Sequence, residues 1–271
     1  MSVAASMTTL VGRDAELRRL KDAIRKRKSQ LIWGPPDAGK TSLVKVAMEG
    51  LAELERKSCI YWSGTATGRQ LAIHFLRGLY HAGDPFVHKK IHADGAREHS
   101  LDSWFSEQST LRLRGILFTA TEKGEYRFFL DHFPPTGHKM ARLMKEFIHR
   151  CKTPVYLVGN GYTQGEIGFA WSLYWTDEYR IRLSPLTEGE GRDLLEICIR
   201  RFGLSAFDLE GFREEVLHMS ERLPGAIVKM CELAANPRYH YGDQIKTKLV
   251  HVDYLMKVSP GGFVHPMNFL S

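Results

Sequence analysis

Residues 30–44 read Gln30-Leu31-Ile32-Trp33-Gly34-Pro35-Pro36-Asp37-Ala38-Gly39-Lys40-Thr41-Ser42-Leu43-Val44. Gly34 to Thr41 is the complete Gly-x-x-x-x-Gly-Lys-Thr pattern of a phosphate-binding loop. Its glycines let the backbone turn N–H groups inward around a chain of phosphates. Lys40 sets a point charge against the β- and γ-phosphates, and the Thr41 hydroxyl is a ligand for Mg2+. The flanks decide the fold. Gln30 to Trp33 is a short apolar run of the kind a buried strand requires. After the loop, Leu43, Val44, Ala47, Met48 and Leu51 fall at helical spacing. Strand, loop and helix in that order aim the positive end of a helix dipole at the phosphates. Gly34 through Ser42 are therefore the candidate nucleotide contacts.

Outward from this stretch, apolar runs alternate with helical patterns. Cys59-Ile60-Tyr61-Trp62 reads as a second strand, followed by a polar loop with Gly64 and Gly68 and a helix over 69–81. Tyr126 to Asp131, Pro154 to Val158 and Tyr179 to Leu183 complete five strands. Between them, 101–121 and 138–152 read as helices. Strands alternating with helices imply crossover units and a parallel sheet. Residues 82–100 lose periodicity and read as a surface excursion. Its histidines, His88, His92 and His99, are irregularly spaced without acidic or cysteine partners, which favours solvated loop residues over metal ligands. After Ser184-Pro185-Leu186-Thr187 the pattern is purely helical. Thr187 and Glu190 form a capping box over a helix reaching about Phe202, and 208–219, 226–235 and 250–258 follow. The expected fold class is α/β, a parallel five-stranded sheet flanked by helices over 1–184 with a smaller α-helical domain over 185–271.

The 271 residues are 43% hydrophobic and 25% charged, enough for one large domain or two smaller ones. No apolar stretch approaches the roughly 20 residues that span a bilayer. Met1 to Met7 lacks the charged and apolar regions of a signal peptide, so a cytoplasmic protein with no membrane association is expected. Cys59, Cys151, Cys198 and Cys231 show no Cys-x-x-Cys spacing, which points to reduced structural thiols. The net charge of +7 suits nucleic acid, acidic lipid or an acidic protein partner. Arg25-Lys26-Arg27-Lys28 is the densest cationic run. A solvated helix end and a phosphate-contacting patch account for it equally well.

A triphosphate loop works with a second acid that completes the Mg2+ shell from the end of a buried strand beside the loop strand. Asp131 fits, because apolar and aromatic residues dominate the run before it. The next position is His132, where many nucleotide hydrolases carry a carboxylate that polarises the attacking water. Three readings stay open: slow hydrolysis, a carboxylate from elsewhere or a neighbouring subunit, or His132 as the water-positioning group. Asn160, after the strand ending at Val158, either touches the γ-phosphate or the attacking water, or belongs to a Gly159-Asn160-Gly161 turn.

Taken together these boxes resemble the AAA+ and STAND superfamilies of P-loop ATPases, from Leu10 to about Ala235. Leu10-Val11-Gly12-Arg13-Asp14-x-Glu16-Leu17 is similar to the segment that lies against the adenine in origin-recognition-type and STAND members, which assigns that role to Leu10, Val11 and Gly12. Tyr126 to Asp131 resembles the Walker B strand and Val155 to Asn160 the sensor 1 strand. Arg180 to Leu186 resembles the strand entering the helical lid, and Leu223-Pro224-Gly225-Ala226-Ile227 the lid motif that packs near the nucleotide. The resemblance implies ATP and Mg2+ as cofactors, with Lys40, Asp131, His132 and Asn160 in catalysis, Thr41 and Asp131 on the metal, and Pro224 near the nucleotide. It also implies an ATP-driven switch that forms homo-oligomers and acts on double-stranded DNA or a DNA-bound protein complex, with hydrolysis slow where His132 replaces the usual acid. The alternative is a STAND-like scaffold for protein partners. A small-molecule kinase is disfavoured by the upstream box and the long helical domain. Three departures stand out. His132 replaces the usual acid. Gly225 stands where many AAA+ members have the sensor 2 arginine. Asp177-Glu178-Tyr179 occupies the region of the trans-acting arginine finger, for which Arg180, Arg182, Arg150 and Arg222 are the substitutes.

Overall fold

The apolar runs become the strands of one parallel sheet. In the computed structural model, residues 10–64, 67–95, 100–122, 126–133 and 138–258 are described. They fall into two units, 1–36 with 40–183, and 184–271 together with 37–39. In the first unit the elements run α1 (Asp14–Arg25), β1 (Gln30–Gly34), α2 (Lys40–Glu49), α3 (Glu53–Lys57), β2 (Cys59–Ser63), α4 (Gly68–His81), α5 (Pro85–Ala93), α6 (Leu101–Glu107), α7 (Thr110–Thr121), β3 (Arg127–Phe133), α8 (His138–Lys145), β4 (Val155–Asn160), α9 (Gln164–Ile167), α10 (Ala170–Leu173) and β5 (Arg180–Arg182). The strand order is β2-β3-β4-β1-β5, and every pairing is parallel.

This order corrects one expectation. The strand ending in Asp131 is not beside the loop strand, because β4 lies between them. Both nevertheless end on the same edge, since parallel strands carry all their carboxyl ends to one side, where ligands of open α/β sheets bind.

The sheet is buried on both faces, so its strands are almost continuously apolar. Successive side chains of β3 point to opposite faces. Phe128 stacks on Phe75 of α4 at 3.9 Å between ring centroids, and Phe147 meets both edge-on. Its neighbour Phe129 stacks on Tyr156 of β4 at 4.5 Å. The Tyr156 hydroxyl donates to the Ala23 carbonyl of α1.

Several helices depart from the periodicity reading. The described part of the expected excursion over 82–100 is not structureless: Asp84 caps the Val87 amide at 2.8 Å and Pro85 starts α5 at its first position. The signal was local capping chemistry rather than a hydrophobic stripe. Within it His88 stacks on Tyr80 and sits 2.8 Å from the Tyr80 carbonyl, a packing role, whereas His99 lies outside the described residues. The expected single helix over 101–121 is two, α6 and α7, because Ser109 turns to extended backbone and caps the Arg112 amide. The helix from His138 widens into a π-helical turn at Glu146–Arg150 before β4.

The second unit holds α11 (Glu188–Arg201), α12 (Glu210–Met219), α13 (Pro224–Ala234), the short hairpin β6 (His240–Tyr241) and β7 (Gln244–Ile245), and α14 (Thr247–Val258). Thr187 and Glu190 do form the capping box of α11. Pro224 opens α13 at its first turn, where the missing N–H costs nothing. Cys151, Cys198 and Cys231 are buried free thiols, and Cys59 is a half-buried one. Among the described residues no helix is long and apolar enough to cross a membrane.

Candidate functional site

The loop after β1 starts at a residue that only glycine fills. A Cβ on Gly34 would stand 2.4 Å from the Leu183 carbonyl oxygen. The chain is pinned there on both sides: Leu183 N–H donates to Trp33 O at 2.8 Å, and Gly161 N–H donates to Gly34 O at 3.1 Å. Asn160 is the register partner of Gly34, so its exposed side chain stands at the mouth of the loop. Pro35 is buried and Pro36 exposed, and Ala38 is fully buried. At the far end Lys40 opens α2, followed by Thr41 and Ser42 in its first turn. Lys40 is 5% exposed, and its ammonium donates to Gly34 O at 2.9 Å and Pro35 O at 2.5 Å. The cation thus sits inside its own loop.

The second half of the site comes from β3. Asp131 is fully buried at the end of the apolar run. Its Oδ2 accepts the Tyr61 hydroxyl at 2.5 Å, and its Oδ1 accepts the His132 amide at 2.8 Å. Burial and then the Asp131 carboxylate raise the Tyr61 phenol far above its ordinary range, so it stays protonated and donates. Register between β3 and β4 shifts between Leu130 and Phe133, where β3 carries one extra residue. His132 occupies that bulge with φ +53, a left-handed backbone that histidine tolerates better than most residues. The bulge turns its ring outward, 55% exposed, with Nε2 3.5 Å from the Thr41 hydroxyl. Strain of this kind concentrates at functional sites.

The structure therefore brings Lys40, Thr41, Asp131, His132 and Asn160 to one sheet edge. Tyr61 was missed by the sequence reading, although the strand Cys59 to Trp62 was legible. Knowing that β2 neighbours β3 in register, with Ser63 opposite Asp131, was needed to place it. Val11 and Gly12 are half-buried just before α1, with Gly12 at φ +67. Buried Arg13 pairs with Glu16 at 3.5 Å.

The tip of the loop, Asp37 to Gly39, packs with the helical unit. Asp37 has φ +62. Its carboxylate accepts the Lys229 ammonium at 2.7 Å and the Tyr254 hydroxyl at 2.9 Å, and its carbonyl accepts the Gly225 amide at 2.8 Å. Pro224 lies 3.9 Å from where a Gly39 Cβ would be. This explains Gly225. A Cβ there would meet the Asp37 Cβ and Oδ1 at 2.9 Å, so any larger residue at that position would have to displace Asp37. Lys229, four residues on and hence on the same face of α13, is the cation that reaches the loop. The sequence reading did not single out Lys229 or Tyr254.

Among the arginine substitutes, Arg180 lies 3.8 Å over the Trp171 ring with its side chain 13% exposed, and is built into the structure. Arg150, Arg182 and Arg222 are exposed.

No protein-family model matches the sequence, and no curated protein matches it. Solved structures do match. A Walker-type ATPase of Pyrococcus abyssi aligns with TM-score 0.58 at 15% identity, over 93% of this chain and 74% of that one. The Orc1 protein of Aeropyrum pernix, solved in complex with DNA, aligns with TM-score 0.59 at 16% identity, over 92% of this chain and 66% of that one. A STAND protein of Pyrococcus horikoshii with a tetratricopeptide repeat sensor aligns with TM-score 0.53 at 14% identity; the alignment covers 92% of this chain but only 32% of that protein. At these identities the likeness is one of fold: the chain has the fold of the P-loop ATPases of the AAA+/STAND type.

Proposed function

We propose that this chain is an ATP-binding, slowly hydrolysing molecular switch of the cytoplasm. It forms homo-oligomers and acts on double-stranded DNA or on a protein complex bound to it. Residues 1–184 serve as the ATPase core and 185–271 as its lid, with Val11 and Gly12 against the adenine. The observation that carries the reading is the convergence of Thr41, buried Asp131 and His132 beside a phosphate-binding loop.

The donor set fits Mg2+. Asp131 and Thr41 offer hard oxygen ligands, and Mg2+ is ordinarily held by one or two protein side chains with phosphate oxygens completing its shell. Bound there with the triphosphate, the ion would neutralise charge on the transferring phosphate. Lys40 exchanges its bonds to the Gly34 and Pro35 carbonyls for the β- and γ-phosphates. Tyr61 is a positioning residue that holds the Asp131 carboxylate by one oxygen. His132, aimed outward by the bulge, orients a water near Thr41. The carboxylate that many nucleotide hydrolases carry after this acid to polarise the attacking water is replaced here by His132, which supports slow turnover.

The test is imaging of purified protein with a non-hydrolysable ATP analogue and Mg2+, with and without duplex DNA, alongside titration with a fluorescent ATP. Nucleotide-dependent assembly, and DNA affinity that rises with nucleotide and falls with salt, is the expected result. An ATP-loaded protein that neither assembles nor binds DNA would sink the switch reading. A second reading, a STAND-like scaffold, is supported by the alignment of this chain with 32% of a STAND protein that carries a tetratricopeptide repeat sensor. Recovery of a stable, ATP-dependent protein partner without DNA would favour it.

A further inference from the structure

The cationic run Arg25-Lys26-Arg27-Lys28 is not used by the phosphate loop. It closes α1 and leads into β1, whose neighbour β4 is entered by a second helix-to-strand turn through Arg150, Cys151 and Lys152. The two turns share a construction. Arg27 (φ +54) and Lys152 (φ +51) each occupy the left-handed position just past a helix end, where glycine or asparagine is usual. In the first turn the Arg27 amide donates to Ile24 O and the Lys28 amide to Ala23 O. In the second, after the wider π-helical turn, the Thr153 amide donates to Phe147 O. The helix dipole accounts for cations in a last helical turn. It does not account for long cations at both turns around one cavity, on a strained backbone that glycine would occupy without strain and that Arg222 (φ +56) also adopts past α12. Outliers of this kind point to use.

Between the two turns lies a cavity of about 290 Å³, at the edge where the strands begin, opposite the edge that carries Gly34, Asp131 and Asn160. Its lining includes Arg27, Lys28, His149 and Lys152 together with Trp175 and Tyr179. The Arg27 guanidinium is fixed by donation to the Tyr126 carbonyl at 3.1 Å, and Lys28 is paired with Glu178. Lys152 and His149 are exposed. Trp175 is 71% exposed, an unusual state for the largest apolar residue and one suited to stacking. Cations beside an exposed indole and a phenol match a planar ring carrying a phosphate. The volume admits one such unit and excludes a duplex.

We propose that this cavity binds a nucleotide unit, its base stacked on Trp175 and Tyr179 and its phosphate held by Lys152, Arg27 and His149. The unit is supplied by a single-stranded nucleic acid or by a free mononucleotide. The site is separate from the phosphate loop, and the inference does not depend on what that loop binds.

The experiment uses the full chain saturated with a non-hydrolysable ATP analogue and Mg2+, so that the phosphate loop is filled. A fluorescein-labelled ten-residue oligothymidylate is titrated by anisotropy. Thymidine monophosphate is titrated by quenching of indole emission, with Trp175→Phe as the blank. Trp175→Ala is expected to weaken binding by about fivefold or more, as loss of a stacking platform does. Lys152→Gly should weaken it comparably and lower the slope of log affinity against log salt by about 0.7 for the strand. Because glycine relieves the left-handed position, the same variant should melt no lower than the wild type. That combination separates loss of a contact from loss of the fold. Lys90→Ala, a cation on the distant α5, should change affinity by less than about twofold. Binding of both probes, each weakened by these substitutions, or of the monophosphate alone, assigns the free nucleotide as a source. Binding of the oligonucleotide alone assigns a strand. The proposal is overturned if neither probe binds, or if affinity is unchanged in both Lys152→Gly and Trp175→Ala.

Discussion

Tyr61→Phe isolates a single hydroxyl at the centre of the site. The substitution keeps the ring and its packing and removes the donor 2.5 Å from Asp131 Oδ2. Asp131 has a side chain 1% exposed, so water does not readily replace the lost donor. Its other oxygen already accepts the His132 amide. The variant therefore leaves a buried carboxylate oxygen short of a partner, a loss of about 1.5–3 kcal/mol for a hydrogen bond to a charged group. In a unit of this size that corresponds to roughly 4–10 °C in the thermal midpoint. Urea unfolding followed by tryptophan fluorescence measures it, and the denaturant slope should not change, because the surface exposed on unfolding is the same. On the proposed role of Asp131 as a metal ligand, nucleotide with Mg2+ should restore part of the loss, since the ion would give the carboxylate a new partner. A loss below about 0.5 kcal/mol would refute the reasoning, because it would mean that the Asp131 carboxylate is solvated or that the hydroxyl contributes nothing net. A full loss that nucleotide and Mg2+ leave untouched would place Asp131 in the fold but not on the metal.

Lys40→Ala should weaken fluorescent-ATP binding by about tenfold to a hundredfold, the worth of a charge-assisted bond to phosphate, while Asp131→Asn should affect the Mg2+-dependent part of binding and turnover more than nucleotide affinity. His132→Glu should raise steady-state hydrolysis by supplying the carboxylate; unchanged or slower phosphate release would assign the imidazole its own role. Gly225→Ala should destabilise the helical unit by about 1–3 kcal/mol in urea unfolding, because the added Cβ forces the Asp37 carbonyl off the Gly225 amide; an unchanged midpoint would show that the contact is soft. Burial holds the His74 ring, placed 3.0 Å from the Tyr61 carbonyl, below its ordinary 6.5. The unfolded chain therefore binds a proton that the folded chain refuses, and stability falls as pH drops below about 6.5. His74→Gln should flatten that fall in a series of urea midpoints between about pH 7.5 and 5.5; an unchanged slope would exclude His74 as its source.

Much of the fold was legible because strand and helix leave different periods. The runs at Gln30, Cys59, Tyr126, Pro154 and Tyr179 each hold a strand, and Thr187 with Glu190 caps the helix expected there. The misreadings have local causes. Helix α5 is specified by the Asp84 cap and Pro85 more than by an apolar stripe, and Ser109 breaks a run whose apolar spacing continues across the break. The neighbour of the loop strand was misplaced because strand order is set by crossover packing, to which a run of apolar residues is indifferent.

Residue identity and spacing alone marked Gly34 to Thr41 as the pattern of a phosphate-binding loop between a buried strand and a helix, since that pattern is short-range and written in consecutive residues. Tertiary structure decided everything that depends on which distant residues meet. It set Tyr61 against Asp131 across two strands and let a one-residue bulge turn His132 toward Thr41. It put Gly225 where a side chain would press on Asp37, with Lys229 and Tyr254 bound to the Asp37 carboxylate, and closed a basic and aromatic cavity around two left-handed cations. Those contacts join residues dozens to hundreds of positions apart. Only sheet order, register and helix packing fix their distances, and a one-dimensional period carries none of the three.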